Sequence, residues 1–302
     1  MSQREAKKFF KNSSDRRAGV AIFVSGSGTN AEKLLEFQVQ NSQNCFYEPV
    51  CIVTDRPGRS EAEVLAEKYK LPLVSEDINE FYKSRGLSSI SLASEEGRRV
   101  REEWTRALYE KLKDFKVDFG VFAGFIPLTN ITDFFPCLNV HPGDLTVCDE
   151  NGGRLLVGLH TVPVHLAFME GFEYLRSSVI VACAYEGGGS GMDEGILVGV
   201  SQEVELDLLG KDRDYWLQAY KARPDKKPAG GWSDEYQKFL QHNQDKLKIY
   251  GDWVVFPQVV NDFAAGKFSH IAECLFYNSG KALLPVEVIE YSQNSKEIFF
   301  KA

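Results

Sequence analysis

The sequence predicts an α/β protein, a Rossmann-like, doubly wound and mainly parallel sheet with a small C-terminal extension. Three observations carry that reading. Short apolar runs alternate with helical patterns from residue 18 onward, and the first run opens into a glycine loop and then a helix. A polar motif, Asn139-Val-His-Pro142, closes a later run, where open sheets of this class bind their ligands.

Residues 18–25 read as a buried strand, followed by Gly26-Ser-Gly-Thr-Asn30 and a helix through Leu34, Leu35 and Phe37. A strand at 49–54, a helix at 61–69 and a short strand at 71–74 continue the pattern. Residues 75–97, rich in Ser, Gly and charge, interrupt it as an inserted loop or short helix, and a long charged helix follows near 95–113. Strands at 117–123 and 138–141, a helix closing at 166–170 before Gly171, and strands at 177–185 and 195–203 complete the core. Glu186-Gly-Gly-Gly-Ser-Gly191 reads as a mobile connection between the last two strands. Residues 206–232 are polar, with Pro224, Pro228, Gly230 and Gly231, and read as a lid or exposed arm. Helices at 233–249 and 252–265 follow, and short strands at 274–277, 283–289 and 298–300 form a tail that ornaments the core.

Composition narrows the function. With 302 residues, 43% hydrophobic and 12% aromatic, the chain can bury a large core, which excludes disorder as its main state. A net charge of −8 with no Lys/Arg stripe argues against a nucleic-acid partner, while local positive groups remain available for a small anion. No apolar run is long enough to span a bilayer and the start has no apolar signal core, so a cytoplasmic protein without a membrane partner is expected. The six cysteines, Cys45, Cys51, Cys137, Cys148, Cys183 and Cys274, have no Cys-x-x-Cys spacing, so neither a metal site nor a disulfide framework is expected.

Asn139 and His141 are two residues apart at a strand end, which puts both side chains on one face within reach of a single carbonyl. Asp193, on the separate segment Gly191-Met-Asp193-Glu-Gly195, can hold the imidazole in one tautomer and favour its protonated form. Amide, imidazole and carboxylate together suit acyl transfer. In the glycine loop, free N–H groups and the helix dipole favour a phosphate; Gly28 permits close approach, and Thr29 and Asn30 can donate to its oxygens. Plainer alternatives stand beside each of these. The glycines can make a tight turn with Thr29 capping the helix, and the spacing is neither Gly-x-Gly-x-x-Gly nor that of a P-loop. His141 can be a satisfied core histidine, His160 and His165 can pack on a helix, and Asp193 with Glu194 can be a solvated turn. Arg98, Arg99 and Arg101 beside Glu102 and Glu103 can be a salt-bridged surface.

The ordered set Ser25-Gly-Ser-Gly-Thr-Asn30, Phe122-Ala-Gly-Phe-Ile126, Asn139-Val-His-Pro142, Gly158-Leu-His160-Thr and Met192-Asp193-Glu-Gly195 resembles the phosphoribosylglycinamide formyltransferases, within the folate-dependent formyltransferase superfamily. The resemblance covers residues 18–268, including Phe256-Pro257 and Phe263-Ala-Ala-Gly266. It implies transfer of a formyl group from 10-formyltetrahydrofolate, as cosubstrate, to the amine of glycinamide ribonucleotide in purine biosynthesis. The implied partners are small molecules, with no metal, and the implied state is a monomer or homodimer. Residue by residue, it makes Gly28, Thr29 and Asn30 the substrate-phosphate loop, Arg101 a substrate-side arginine, and Asn139, His141 and Asp193 the catalytic trio. It makes Phe125, Ile126 and Leu128 the wall of the pteridine pocket, and His160 a further active-site histidine.

The implied division is an N-terminal extension at 1–17, a formyltransferase domain at 18–268 with a phosphate-binding half (18–115) and a folate half (116–268), and a β-rich tail at 269–302. The chain departs from the pattern at several positions. Pro127 replaces a usual Arg, Gly143-Asp144-Leu145 replaces Ser-Leu-Leu, and an Asp149-Glu-Asn-Gly-Gly153 insertion follows. Asp252 replaces a Glu that contacts the ribonucleotide, and Ile249 stands where a Gln is usual. These departures leave two alternatives open: another phosphorylated or sugar amine as acceptor, or hydrolysis of formyltetrahydrofolate.

Overall fold

The computed structural model describes residues 6–13, 15–184, 192–280, 282–293 and 295–301. The connection expected to be mobile at 186–191 lies outside them.

The chain runs through β1 (Lys7–Lys8), β2 (Ala18–Phe23), α1 (Thr29–Gln40), β3 (Tyr47–Thr54), α2 (Ala62–Tyr69), β4 (Leu73–Ser75), α3 (Ile78–Ser84) and α4 (Glu95–Leu112). It continues with β5 (Phe119–Phe122), β6 (Cys137–His141), α5 (Val162–Met169), β7 (Tyr174–Leu175), β8 (Ser178–Val181), β9 (Leu197–Ser201) and β10 (Val204–Glu205). The last stretch holds α6 (Arg213–Lys221), α7 (Glu235–Leu247), α8 (Trp253–Ala264), β11 (Phe268–Ile271), β12 (Cys274–Asn278), β13 (Leu283–Tyr291) and β14 (Lys296–Phe300).

Strands β4, β3, β2, β5 and β6 lie side by side and parallel. Every residue of β2 is buried, the pattern of a central strand covered on both faces. Its side chains alternate between two cores. Val20 and Ile22 pack among Leu34, Leu65, Val255 and Val259 of α1, α2 and α8, while Ala21 and Phe23 pack among Val100, Trp104 and Leu108 of α4. The chain winds outward from β2 to β3 and β4, then returns to place β5 on the other side of β2. Strand order therefore reverses between β2 and β5, and the loops leaving their carboxyl ends separate there to open a crevice.

Beyond β6 the sheet turns antiparallel through β8 and β9. The expected ornament is part of this same sheet. β13 pairs in parallel with β9, its other neighbours are β12 and β14, and β1 joins the far edge by pairing with β11. Leu275, Tyr277, Val286, Ile289 and Tyr291 enter the core under α8. Buried Asp262 ties the layers together, accepting from Tyr291 Oη (2.9 Å) and Lys267 Nζ (2.6 Å) and pairing with Lys296.

The interruption at 75–97 contains α3, capped by Asp77, whose carboxylate accepts from the Asn79 N–H at 2.9 Å. The stretch 206–232, expected as a lid or arm, is partly core. Trp216 of α6 is buried and stacks on Phe239 of α7 with centroids 4.4 Å apart, in a third cluster that also holds Phe168 and Tyr236. A tryptophan and a phenylalanine on separate helices find each other only through the tertiary fold, which is why the polar composition of the segment hid the helix.

Candidate active site

A cavity of about 500 Å³ occupies the crevice at the strand ends. The loop after β2, the loop after β5, the end of β6, residues 158–160, Asp193 and the α7–α8 junction all line it.

The first wall is the glycine loop. Gly28 has φ +62°, and a Cβ there would come within 2.7 Å of Leu65 Cδ1, so both conformation and packing require glycine. Gly28 is also the N-cap of α1, and no side chain caps the helix. Thr29 is thus the first helical residue and not the cap of the simpler reading. The open N-terminus of α1 faces the cavity, ready for an anion.

Ser25 fastens this wall to the second one. Its buried hydroxyl donates to Asp55 Oδ1 at 2.6 Å and accepts from the Ile126 N–H at 3.0 Å. Burial holds the Asp55 carboxyl above its ordinary value, the Ser25 hydrogen bond opposing. In the second wall Phe125 is mostly a core residue, edge-on to Phe23 with centroids 5.2 Å apart. Ile126 is exposed toward the cavity, and Leu128 is half-buried.

The polar trio meets at the cavity floor. Asn139 Nδ2 donates to Asp193 Oδ1 at 3.1 Å, and His141 Nδ1 lies 3.4 Å from Asp193 Oδ2. His141 is buried, and its Nε2 lies 2.8 Å from the carbonyl oxygen of Leu156. A carbonyl only accepts, so the Nε2 proton is fixed there and Nδ1 is the nitrogen turned to the carboxylate. Gly143 makes this contact possible. A Cβ on it would stand 2.4 Å from the Leu156 oxygen and 3.0 Å from His141 Nε2.

Asp193 is itself held from behind. Arg154 donates from Nη1 to the Asp193 carbonyl and from Nη2 to the Gly195 carbonyl at 2.7 Å. Burial pushes its guanidinium below its ordinary value, against the pull of Cys148 and Asp193. The insertion at 149–153 builds the turn that delivers it: Asp149 Oδ1 accepts from the N–H groups of Asn151 and Gly153, both at 2.8 Å. No motif marks Arg154; only the unusual insertion before it drew notice.

The third wall is the junction of α7 and α8, where one wide π turn spans Lys248–Asp252. Such turns are uncommon and recur at functional sites. Asp252 is buried and accepts from Ser177 Oγ at 2.5 Å and from Asn30 Nδ2 at 3.1 Å. Burial raises its pKa, with the Ser177 and Asn30 hydrogen bonds opposing. Lys248, one turn earlier, puts an ammonium on the lining that motif reading missed. Ile249 is exposed and lines a different depression. His160 lines the cavity, exposed, with φ +55°.

Eleven of the twelve candidate residues therefore line one cavity: Gly28, Thr29, Asn30, Phe125, Ile126, Leu128, Asn139, His141, His160, Asp193 and Asp252. Arg101 is the exception. It is buried with its guanidinium donating to the carbonyls of Leu128 (2.7 Å) and Ile90 (2.9 Å) and to Tyr82 Oη (3.1 Å). It braces the Leu128 segment from outside the cavity. Its neighbour Arg99 does form the surface ion pairs, with Glu96 and Glu103. Among the described residues no group of three His, Cys, Asp or Glu side chains is arranged to hold a metal ion.

The solved structure of glycinamide ribonucleotide transformylase 1 from Symbiobacterium toebii superposes with a TM-score of 0.56 at 17% identity, covering 87% of this chain and 96% of that one. The phosphoribosylglycinamide formyltransferase of Coxiella burnetii gives a TM-score of 0.56 at 15% identity, covering 89% and 96%. The chain has the fold of the glycinamide ribonucleotide transformylases. The transformylase fold is shared by a formyltetrahydrofolate deformylase from Pseudomonas syringae, with a TM-score of 0.54 at 11% identity over 86% of this chain and 65% of that one. In sequence, the chloroplastic phosphoribosylglycinamide formyltransferase of Arabidopsis thaliana is 30% identical over 159 residues, 51% of this chain. That match spans 46% of the plant protein, about half its length. No family model matches the sequence.

Proposed function

We propose that the chain transfers the formyl group of 10-formyltetrahydrofolate to the amine of glycinamide ribonucleotide, a step of purine biosynthesis. The observation that carries this reading is the single cavity in which the uncapped N-terminus of α1 faces the Asn139, His141 and Asp193 cluster. The first half of the chain, 18–115, supplies the phosphate seat at Thr29 and Asn30. The second half, 116–268, supplies the trio and the apolar wall of Ile126 and Leu128 for the folate ring.

The acceptor amine attacks the formyl carbon, forming a C–N bond and a tetrahedral oxyanion. Asn139 donates one Nδ2 hydrogen to Asp193 and keeps the other for that oxyanion. The 3.4 Å contact of His141 Nδ1 with Asp193 is longer than a charge-assisted hydrogen bond, so in the imidazolium form, which carries a proton on Nδ1 as well as on Nε2, Nδ1–H can turn to the oxyanion as it forms. Asp193 takes the proton released by the attacking nitrogen through a water. Collapse of the oxyanion then breaks the bond from carbon to the folate N10, which leaves with a proton returned from the same carboxylic acid. No covalent enzyme intermediate is needed, and holding amine and formyl group together supplies much of the acceleration.

Such a reaction uses small molecules alone, and we place the chain in the cytoplasm as a monomer or homodimer. The free thiols Cys45, Cys51 and Cys137, all buried, fit a reducing compartment.

The test is to incubate purified protein with 10-formyltetrahydrofolate, with and without glycinamide ribonucleotide, and follow the folate product by absorbance. Product that needs the ribonucleotide and is lost in His141→Ala supports the proposal. Product formed equally without it would assign hydrolysis, and no product in either mixture would assign a different acceptor.

A further inference from the structure

The two ends of the Asn30 amide are unequally served. Asn30 lies in the first turn of α1, whose uncapped N-terminus lines the catalytic cavity. Its Nδ2 donates to Asp252 Oδ2 at 3.1 Å, while its Oδ1 is buried and, among the described residues, has no hydrogen-bond partner. One of the two Nδ2 hydrogens is therefore spent on a carboxylate, and the leftover end of the amide is an acceptor. A seat for an anion needs the opposite: donors toward the ligand and no negative charge behind them.

Asp252 is placed to reverse this. It stands at the end of the π turn, buried, and its other oxygen, Oδ1, accepts from the equally buried Ser177 Oγ at 2.5 Å. With Oδ1 already engaged, a proton on the carboxyl falls on Oδ2, the oxygen at Asn30. Asn30 reaches the carboxyl from α1 and Ser177 from the segment before β8, while the charges of Lys248 on the same π turn and His141 on β6 favour its ionised form. Burial outweighs all four and holds the carboxyl above its ordinary value. An anion at the N-terminus of α1 adds a like charge, which drives the carboxyl further toward its neutral form.

We propose that the protonation of Asp252 sets which end of the Asn30 amide an anion meets. With the carboxylate ionised, Nδ2 stays on Oδ2. With a proton on Oδ2, the acid O–H donates to Asn30 Oδ1, the amide turns over, and both Nδ2 hydrogens are left for the oxygens of a phosphate. The turned amide also pairs the buried Oδ1, which is costly to leave alone. Asp252 thereby acts as a positioning residue, and seating a phosphate takes up a proton from solvent. The inference rests on the phosphate seat of the proposed function and deepens it: acceptor binding weakens as pH rises.

Sulfate, which does not titrate in the range used, is the probe, added to the full chain in a calorimeter between about pH 5 and pH 8. Comparing buffers of different ionisation heat counts the protons taken up with the anion. The unaltered chain is expected to take up to about one proton per sulfate, its affinity falling by up to about tenfold per pH unit. Asp252→Asn carries a permanent donor for Asn30 Oδ1, and is expected to bind at high pH as the unaltered chain does at low pH, without that proton. Asn30→Ala keeps Asp252 but has no amide to turn, and is expected to bind weakly at every pH. Binding to the unaltered chain without proton uptake, or uptake undiminished in Asp252→Asn, overturns the inference and leaves the proposed function standing. Asn30→Ala binding as tightly as the unaltered chain at low pH does the same, and decides the matter even if Asp252→Asn does not fold. Failure of sulfate to bind at all removes the phosphate seat at Thr29, and both readings fall with it.

Discussion

The carbonyl oxygen of Leu156 stands 2.8 Å from His141 Nε2, so a backbone group from a distant loop decides which imidazole nitrogen faces Asp193. The passage of that loop beside the ring depends on the bare Cα of Gly143. Gly143→Ala is expected to push the two apart, lowering turnover in the proposed reaction by about 100-fold and stability by about 1–3 kcal/mol. Turnover assays and denaturant melts of the variant check it; unchanged turnover would mean that the Leu156 contact does not set the imidazole.

Arg154 acts on Asp193 through the backbone, and its replacement should show as a loss of kcat with little change in KM. Arg154→Met keeps much of the apolar stem but frees the carbonyls of Asp193 and Gly195. A fall of about 10-fold or more in kcat is expected, with Arg154→Lys recovering little because one ammonium cannot reproduce the two-pronged donation. A variant with wild-type kcat would reduce Arg154 to a surface tie.

Asp252 gives a pH signature. Burial raises its pKa above 3.8, so the folded state holds this proton more firmly than the unfolded chain. Its contribution to stability is complete below the unfolded value and is lost as pH rises through the folded one. Asp252→Asn removes that loss. Thermal melts of both proteins between about pH 4 and pH 7 are expected to show Tm shifting in favour of the variant as pH rises. A constant difference would contradict the assignment.

Removing residues 269–302 should unfold the protein rather than trim it. Leu275, Tyr277, Val286, Ile289 and Tyr291 are buried in the core under α8, and burial of such side chains is worth about 1.5–3 kcal/mol each. Their sum rivals the whole stability of an ordinary domain, about 5–15 kcal/mol. A soluble, cooperatively melting truncated chain would show that the tail is dispensable.

Much of this was legible in the residues. The parallel strands and their helices follow from apolar periodicity, because a strand buried on both faces needs a continuous apolar run such as Val20 to Val24. Asn139 and His141 share a face because strand side chains alternate, and Asp193 joins them as expected. Arg101 was not legible: a helix pattern gives a residue's turn but not which neighbouring carbonyls its long side chain meets, and those of Leu128 and Ile90 claim it. The reach of the tail was hidden for a similar reason. Short strands at 283–291 show no partner in sequence, and the pairing of Glu290 with Val200 is a long-range choice made by packing. Lys248 carried no motif, since only a π turn brings it round to Asp252.

Ser25 gives the two walls of the cavity a common hinge pin. Its oxygen starts the glycine loop and at the same time holds the N–H of Ile126, so any adjustment of the first wall around a phosphate is passed to the second. In the proposed reaction the two cosubstrates are then linked: each should change the affinity of the other by the same factor, as thermodynamic reciprocity demands, and Ser25→Ala is expected to bring that factor to one in paired calorimetric titrations. One hydroxyl would thereby let the protein bind its formyl donor most firmly when an acceptor is already waiting, and protect the donor from being held idle.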